Sequence, residues 1–177
     1  YLKDDPRFAI VAVADLLADR RERAEREYGC ATYANVDDLL ARKDLDLVVN
    51  ALPSHFHAPV TLRGIESGHN VLCEKPLARY AAEVDALIAA SERQGRLLAI
   101  FQQSRFAPYF VKIREVIASG VLGRIVAIKI RFNGYARRWD WQTLQEYAAG
   151  SLLNTGPHPV DQALQLFGTD VMPKVFC

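Results

Sequence analysis

The sequence predicts an α/β fold: a parallel, doubly wound sheet followed by a shorter, truncated α+β domain. Three observations carry this. Short apolar runs end abruptly in polar residues, as in Phe8–Ala14 before Asp15 and Asn70–Cys73 before Glu74. These runs alternate with segments of helical spacing, about 10–15 residues long, which is the pattern of βαβ units. The texture then changes near Gln103, where continuous apolar runs give way to a strictly alternating one.

Each element follows in order. After Asp15, Leu17, Ala24 and Tyr28 share one helical face, and Gly29 stands where a helix stops. Asn35 suits an N-cap, with Asp37 and Asp38 in the first turn near the positive end of the helix dipole. Leu45–Leu52 is too continuous for a half-exposed strand and reads as a central parallel strand. A helix carrying Ala58, Leu62 and Ile65 ends at Gly68, and the run Asn70–Cys73 follows. Ala81, Val84, Ile88 and Ser91 line a longer helix that stops at Gly95, and Leu97–Phe101 is the fourth run. Right-handed crossovers then put every strand's carboxyl end on one edge, with helices on both faces. Beyond a boundary at residues 102–105, Phe106, Phe110, Ile113 and Ile117 mark a helix before Gly120. Val126, Ile128, Ile130 and Phe132 then alternate with Ala127, Lys129 and Arg131 as a strand with one wet or partner-facing side. Residues 1–103 and 104–177 are read as two domains, the second incomplete.

The chain has 177 residues, 22 Lys and Arg against 21 Asp and Glu, and a net charge of +1. That balance leaves no excess to neutralise a phosphate backbone, so a nucleic-acid partner is not expected. No apolar run approaches the roughly 18 residues of a membrane span. Cys30, Cys73 and Cys177 are far apart and odd in number. They fit neither a disulfide framework nor a paired zinc site, and they suit a reducing, cytoplasmic compartment. The chain begins at Tyr1 rather than Met and stops at Cys177 in what reads as a strand start, Lys174–Phe176. Both ends read as cut, and a targeting or export segment would precede Tyr1.

Candidate chemistry gathers at the strand ends. In a dinucleotide-binding fold an acid at the end of the second strand accepts hydrogen bonds from the adenosine ribose, about 20 residues after a glycine fingerprint. Asp15 suits that place. The fingerprint would then lie before Tyr1, and no G-x-G-x-x-G occurs in the sequence. The alternative is that Asp15 starts a turn or caps the next helix. On the ribose reading its charge would repel a 2′-phosphate and favour NAD over NADP. Glu74-Lys75-Pro76 ends a buried strand, where partial desolvation would lower the lysine pKa and strengthen its hydrogen bond to an alcohol oxygen. The alternative is a surface ion pair ahead of a helix beginning at Pro76. His55 and His57 form a His-x-His pair with no acid or cysteine beside them, so no metal is expected. Near a helix N-terminus such residues are structural or cofactor-facing. In Ser151–Asp161, Pro159 suits the first position of a helix, which puts His158 at its cap. The dipole would then hold the imidazole neutral, as a general base requires. Asp161 could instead complete a capping box and leave an ordinary capped helix. Arg137, Arg138, Trp139, Asp140 and Trp141 mix aromatics and charges in a way that suits sugar binding, a lid or a subunit contact equally.

Taken together, AVAD (12–15), LPSHFHAPV (52–60), SGHNVLCEKPLA (67–78), SRFAP (104–108), SGVLGRI (119–125) and GSLLNTGPHPVDQAL (150–164) resemble the Gfo/Idh/MocA oxidoreductase family, in one order over nearly the whole chain. The resemblance implies a Rossmann domain and a C-terminal α+β domain with an open, mostly antiparallel sheet. Members are roughly twice this length. It implies NAD, with NADP as the other option, and oxidation or reduction of a sugar, polyol or related hydroxyl compound.

By position, Lys75 would bind the reacting oxygen and His158 would take the hydroxyl proton. Asp15, Leu52, Pro53, Ser54, His57, Glu74 and Lys75 would border the cofactor. Gln103, Arg105, Asn154, Thr155 and His158 would border the substrate. Many members carry Asp four residues before the histidine, where this chain has Asn154. An amide holds a hydroxyl but does not stabilise an imidazolium as a carboxylate does, so Asn154 is expected to orient His158 or the substrate. Two other readings stand beside this one: an NAD-dependent glycoside hydrolase or lyase of the same family, which needs the same Lys75 and His158, and a non-catalytic dinucleotide-binding protein, against which the intact EKP and His158 argue and for which Asn154 argues slightly. A homo-oligomer formed through the alternating strand is expected. The segment by itself is expected to bind NAD weakly and to catalyse nothing.

Overall fold

The computed structural model describes residues 4–135, 137–168 and 172–176. Tyr1 and Cys177, the two ends singled out in the sequence, lie outside them. The order of elements is β1 (Ala12–Ala14), α1 (Ala18–Tyr28), β2 (Ala31–Tyr33), α2 (Val36–Leu40), β3 (Val48–Asn50), α3 (His57–Glu66), β4 (Val71–Glu74), α4 (Ala81–Gln94), β5 (Leu98–Phe101), α5 (Pro108–Ala118), α6 (Ser151–Asn154) and α7 (Pro157–Phe167). Every strand pair is parallel, as the βαβ pattern requires. The strands divide into two sheets, β1–β2 and β3–β4–β5, rather than one. In the doubly wound order the strands on either side of the topological switch flank a further strand, and no described residue supplies it.

The helix boundaries have local causes. Gly29 closes α1 in the left-handed region at φ 63°, its N–H bonded to the Glu25 carbonyl. Asn35 caps α2 as expected, its side chain accepting from the Asp37 N–H. Glu83 reaches back to accept from the Tyr80 and Arg79 N–H groups at 2.9 Å each, which satisfies two donors at the start of α4. β2 has no counterpart among the apolar runs of the sequence. Ala31-Thr32-Tyr33 is short, and its apolar character is diluted by threonine.

The core lies between β3–β4–β5 and the helices α3 and α4. Ile65, Val71, Cys73, Leu77, Leu87 and Ala90 are buried together, with Ala58, Leu62, Val84 and Leu98 packed against them. The inward face of α4 is rotated from the expected one: Leu87 is 1% exposed, whereas Ile88 is 46% exposed. Coverage is also one-sided. The order β3–β4–β5 advances in a single direction, and right-handed crossovers of that kind put both connecting helices on one face. Val49 and Phe101, on the other face, remain about half exposed, so the expectation of helices on both faces is not met among the described residues.

The second half departs most from expectation. α5 forms with Phe110 buried, but Phe106 lies ahead of it and is exposed. Residues 125–135 form no strand, and neither do Lys174–Phe176. An extended segment becomes a strand only by hydrogen bonding to a neighbour. None lies beside it among the described residues, so the open antiparallel sheet is absent there. Ile125, Ile128 and Ile130 instead line a groove of about 560 Å³ against Phe110, Ile113 and Ile117 of α5. No helix of the described residues is long and apolar enough to cross a membrane.

Truncating Ile65, which is fully buried, should destabilise the fold by about 2–5 kcal/mol, whereas Ile88→Ala should stay within about 0.5 kcal/mol. Denaturant midpoints followed by circular dichroism distinguish this rotated helix face from the one the spacing suggested.

Candidate active site

The site is assembled from the turns that follow β3, β4 and β5. Asn50, the one amide in the apolar run Leu45–Leu52, is 3% exposed at the end of β3. Its Nδ2 donates to the His57 carbonyl and to Thr61 Oγ1, both at 3.1 Å, which pins the turn to α3. A buried amide costs free energy unless so paired. His57 is 2% exposed, and its ring nitrogens lie 2.7 Å from the carbonyls of Pro76 and Leu52. It therefore ties the turn after β3 to the turn after β4 and has no free nitrogen to offer a ligand. Ser54 is buried beside it, and Pro53 and Leu52 are half-buried.

β4 ends at Glu74, whose carboxylate accepts from the Lys75 N–H at 3.1 Å. The Lys75–Pro76 peptide bond is cis, and no helix begins at Pro76. Lys75 Nζ donates to Asn154 twice, to its carbonyl at 2.9 Å and to Oδ1 at 3.1 Å. Asn154 therefore engages the lysine rather than the histidine four residues on. Burial lowers the Lys75 pKa from 10.5, the nearby Arg138 guanidinium lowers it less, and Glu74 opposes both.

His158 lies in the first turn of α7, one residue inside the helix. Pro157, not Pro159, is the first helical residue, and it needs no N–H there. The connection from α6 is tight. The His158 N–H reaches the Thr155 carbonyl at 3.1 Å, and Gly156 packs directly on the Leu152 carbonyl. A Cβ at Gly156 would come far closer to that oxygen than van der Waals contact allows. The His158 pKa is lowered from 6.5, first by burial and then by the Lys75 ammonium, with Glu74 and Asp161 opposing. Desolvation and a neighbouring cation thus favour the neutral ring, and its place in the first turn of α7 acts in the same direction. Its Nδ1 is buried with no hydrogen-bond partner among the described residues.

The remaining expected residues make contacts of their own. Arg105 grips Asp161 through three contacts of 2.6–3.0 Å, so Asp161 completes no capping box. Gln103 is exposed at the start of the turn, and Thr155 is half-buried at the end of α6. Asp15 stands at the end of the other sheet, where Oδ1 accepts from the Leu17 N–H at 2.9 Å and Oδ2 pairs with Arg20 at 3.3 Å. The bond to Leu17 is that of a turn, as in the alternative reading, but Asp15 does not cap α1, whose N-cap is Leu17 with no side-chain cap bond. Trp139 is 90% exposed, and Arg138 pairs with Asp140, which caps the turn at Trp141–Thr143. Gln102, Gln162 and Asn50 bind across the site unforeseen. Of these, only Asn50 carries a signal, as the one amide inside the apolar run Leu45–Leu52. No group of three or more His, Cys, Asp or Glu able to hold a metal occurs among the described residues.

Because folding depresses the His158 pKa, the unfolded chain binds that proton more strongly, and stability from this group is lost as pH falls below about 6.5. NMR titration of the ring should give a midpoint below 6.5, and Lys75→Met should move it up by removing a like charge. Gly156→Ala should cost about 1–3 kcal/mol by overpacking, measured by denaturant unfolding.

The sequence pattern described as "Oxidoreductase family, NAD-binding Rossmann fold" matches residues 1–102, and that of the GFO/IDH/MocA C-terminal domain matches residues 110–176. An uncharacterized oxidoreductase of Schizosaccharomyces pombe is 34% identical over 140 residues, covering 77% of this chain and 38% of its own. The scyllo-inositol 2-dehydrogenase (NADP(+)) IolW of Bacillus subtilis is 28% identical, covering 92% of this chain and 45% of its own. The structure of GenD2 from gentamicin A biosynthesis, in complex with NAD, superimposes with a TM-score of 0.88 at 28% identity, over 94% of this chain and 48% of that one. The chain thus spans less than half the length of these relatives. The strand-end turns, the parallel order and these matches agree: the chain belongs to the Gfo/Idh/MocA oxidoreductase family, with an NAD-binding Rossmann fold over its first 102 residues.

Proposed function

We propose that the protein transfers a hydride between a nicotinamide cofactor and a hydroxyl-bearing carbon of a sugar, polyol or related compound. The observation that carries this is the convergence of Lys75 and His158. The lysine comes from the end of β4 and the histidine from α7, and each is depressed in pKa by burial. A partly buried imidazole kept neutral beside a partly desolvated ammonium fits a nicotinamide and an alcohol arriving at the carboxyl edge of the sheet. Glu74 and Lys75, with Leu52, Pro53 and Ser54, would border the cofactor, His57 would hold their turns, and Asp15 would meet the adenosine ribose. Asn154 and Thr155 would border the substrate. The division into a cofactor domain and a second α+β domain near residues 102–105, and assembly into a homo-oligomer, belong to the same reading.

When bound, the cofactor would supply the hydride acceptor or donor. Lys75 donates a hydrogen bond to the reacting oxygen and offsets the negative charge that grows there. His158, kept neutral, takes the hydroxyl proton in oxidation and returns it in reduction. Asn154 fixes the ammonium by accepting two of its three hydrogens, which leaves the third for the substrate oxygen. The names of relatives support the substrate class: inositols and D-xylose appear there, with NADP(+) in two cases. Asp15 repels a 2′-phosphate, so NAD is the favoured cofactor, although Arg20 beside it offsets part of that charge.

The full-length protein, offered inositols, aldoses and polyols with NAD or NADP, should reduce the cofactor with at least one of them, read at the reduced-nicotinamide absorbance band. Lys75→Met and His158→Ala should each lower kcat by roughly 10²–10⁴-fold. Unchanged turnover in both variants would remove the assignment.

A further inference from the structure

Three tethers join the turn after β5 to the first turns of α7. Gln102 Nε2 donates to the Pro157 carbonyl at 2.9 Å. The Arg105 guanidinium meets both carboxylate oxygens of Asp161, with Nε at 3.0 and 2.9 Å and Nη2 at 2.6 Å. Gln162, 2% exposed, donates through Nε2 to the Ser104 carbonyl at 3.1 Å and to Tyr109 Oη at 2.7 Å. The gripped positions bracket His158. Pro157 precedes it directly, and Asp161 and Gln162 lie three and four residues on, which places them beside it on the helix surface.

His158 needs such a frame. A histidine acting as base is usually held in orientation by an acceptor on its other nitrogen. Here Nδ1 has no partner among the described residues, and the amide four residues earlier is turned to Lys75. What holds the ring is therefore the backbone that carries it. The Asp161 carboxylate is only 13% exposed, whereas Arg105 is 45% exposed. A bidentate guanidinium–carboxylate pair of that kind fixes direction as well as distance.

We propose that Arg105 is a positioning residue rather than a substrate contact: with Asp161, and assisted by Gln102, it clamps α7 so that His158 faces Lys75. The effect on turnover rests on the redox reading above, but the effect on the ring does not. Arg105 acts by holding the helix, and its guanidinium is already engaged by Asp161.

The test uses the full-length protein with Arg105→Ala, Arg105→Lys, Asp161→Asn and the Arg105→Ala/Asp161→Asn pair, read by NMR titration of the His158 ring and by steady-state kinetics. The groups facing His158 are Lys75, which lowers its pKa, and Glu74 and Asp161, which raise it. Arg105→Ala should move the ring midpoint up, because burial slackens and Asp161 loses its counter-ion. It should lower kcat by roughly 10- to 100-fold, the cost of a small misplacement of a catalytic group, with the substrate KM changed less than about 2-fold if the contact is indirect. The double variant should lose no more than the worse single variant, and Arg105→Lys should recover part of the loss. A raised KM with unaltered kcat and ring titration would make Arg105 a substrate ligand and overturn the proposal. Additive losses in the pair, or an unmoved ring midpoint, would also overturn it. Should Arg105→Ala not fold, Gln102→Ala removes a neutral tether and is expected to move kcat and the ring in the same directions. If the unaltered protein turns over no sugar or polyol, the redox reading fails, and the ring titration still decides the clamp.

Discussion

Lys75 is the residue on which the arrangement turns. Its ammonium is partly withdrawn from water at the end of β4, and a cation so placed must find acceptors or lose its charge. The acceptors it finds are the carbonyl and the amide oxygen of Asn154, 79 residues further along the chain. That contact brings the α6–α7 bend onto the edge of the β3–β4–β5 sheet and sets His158 near the same charge. The pKa shifts of the two groups are coupled consequences of this one approach, because burial acts on both and the lysine charge acts on the histidine.

The rest of the site supports that contact from beneath. Asn50 and His57 knit the turns after β3 and β4 into one piece through buried hydrogen bonds to backbone groups. The rigid floor comes from the core that α3 and α4 form against one face of the sheet. The one-sided packing follows from strand order and crossover hand alone, so the site edge is positioned by topology before any side chain at the site contributes.

Much of the first half was legible because its determinants are local. Apolar runs ended where strands end, Gly29 and Gly95 closed helices through their backbone freedom, and Asn35 capped α2 as its chemistry suggests. The face of α4 is not legible locally because Ile88 and Leu87 are adjacent and equally apolar, and only the neighbouring layer chooses between them. The alternating segment 126–132 read as a strand because alternation reports the two faces of a strand, not the partner that makes one. At the site, residue types were readable and pairings were not. Arg105, Asp161, Gln102 and Pro157 meet across more than fifty residues, and no local pattern encodes such a meeting.

Gly156 lies against the Leu152 carbonyl with no room for a methyl group. The reach from Asn154 to His158 is therefore set by main-chain atoms, whereas the Asn154 side chain is turned to Lys75. Side chains on either side of Gly156 can change while the bend itself stays fixed. The hinge-like tightness between two short helices thus separates what is adjustable in this pocket from what is invariant in its geometry.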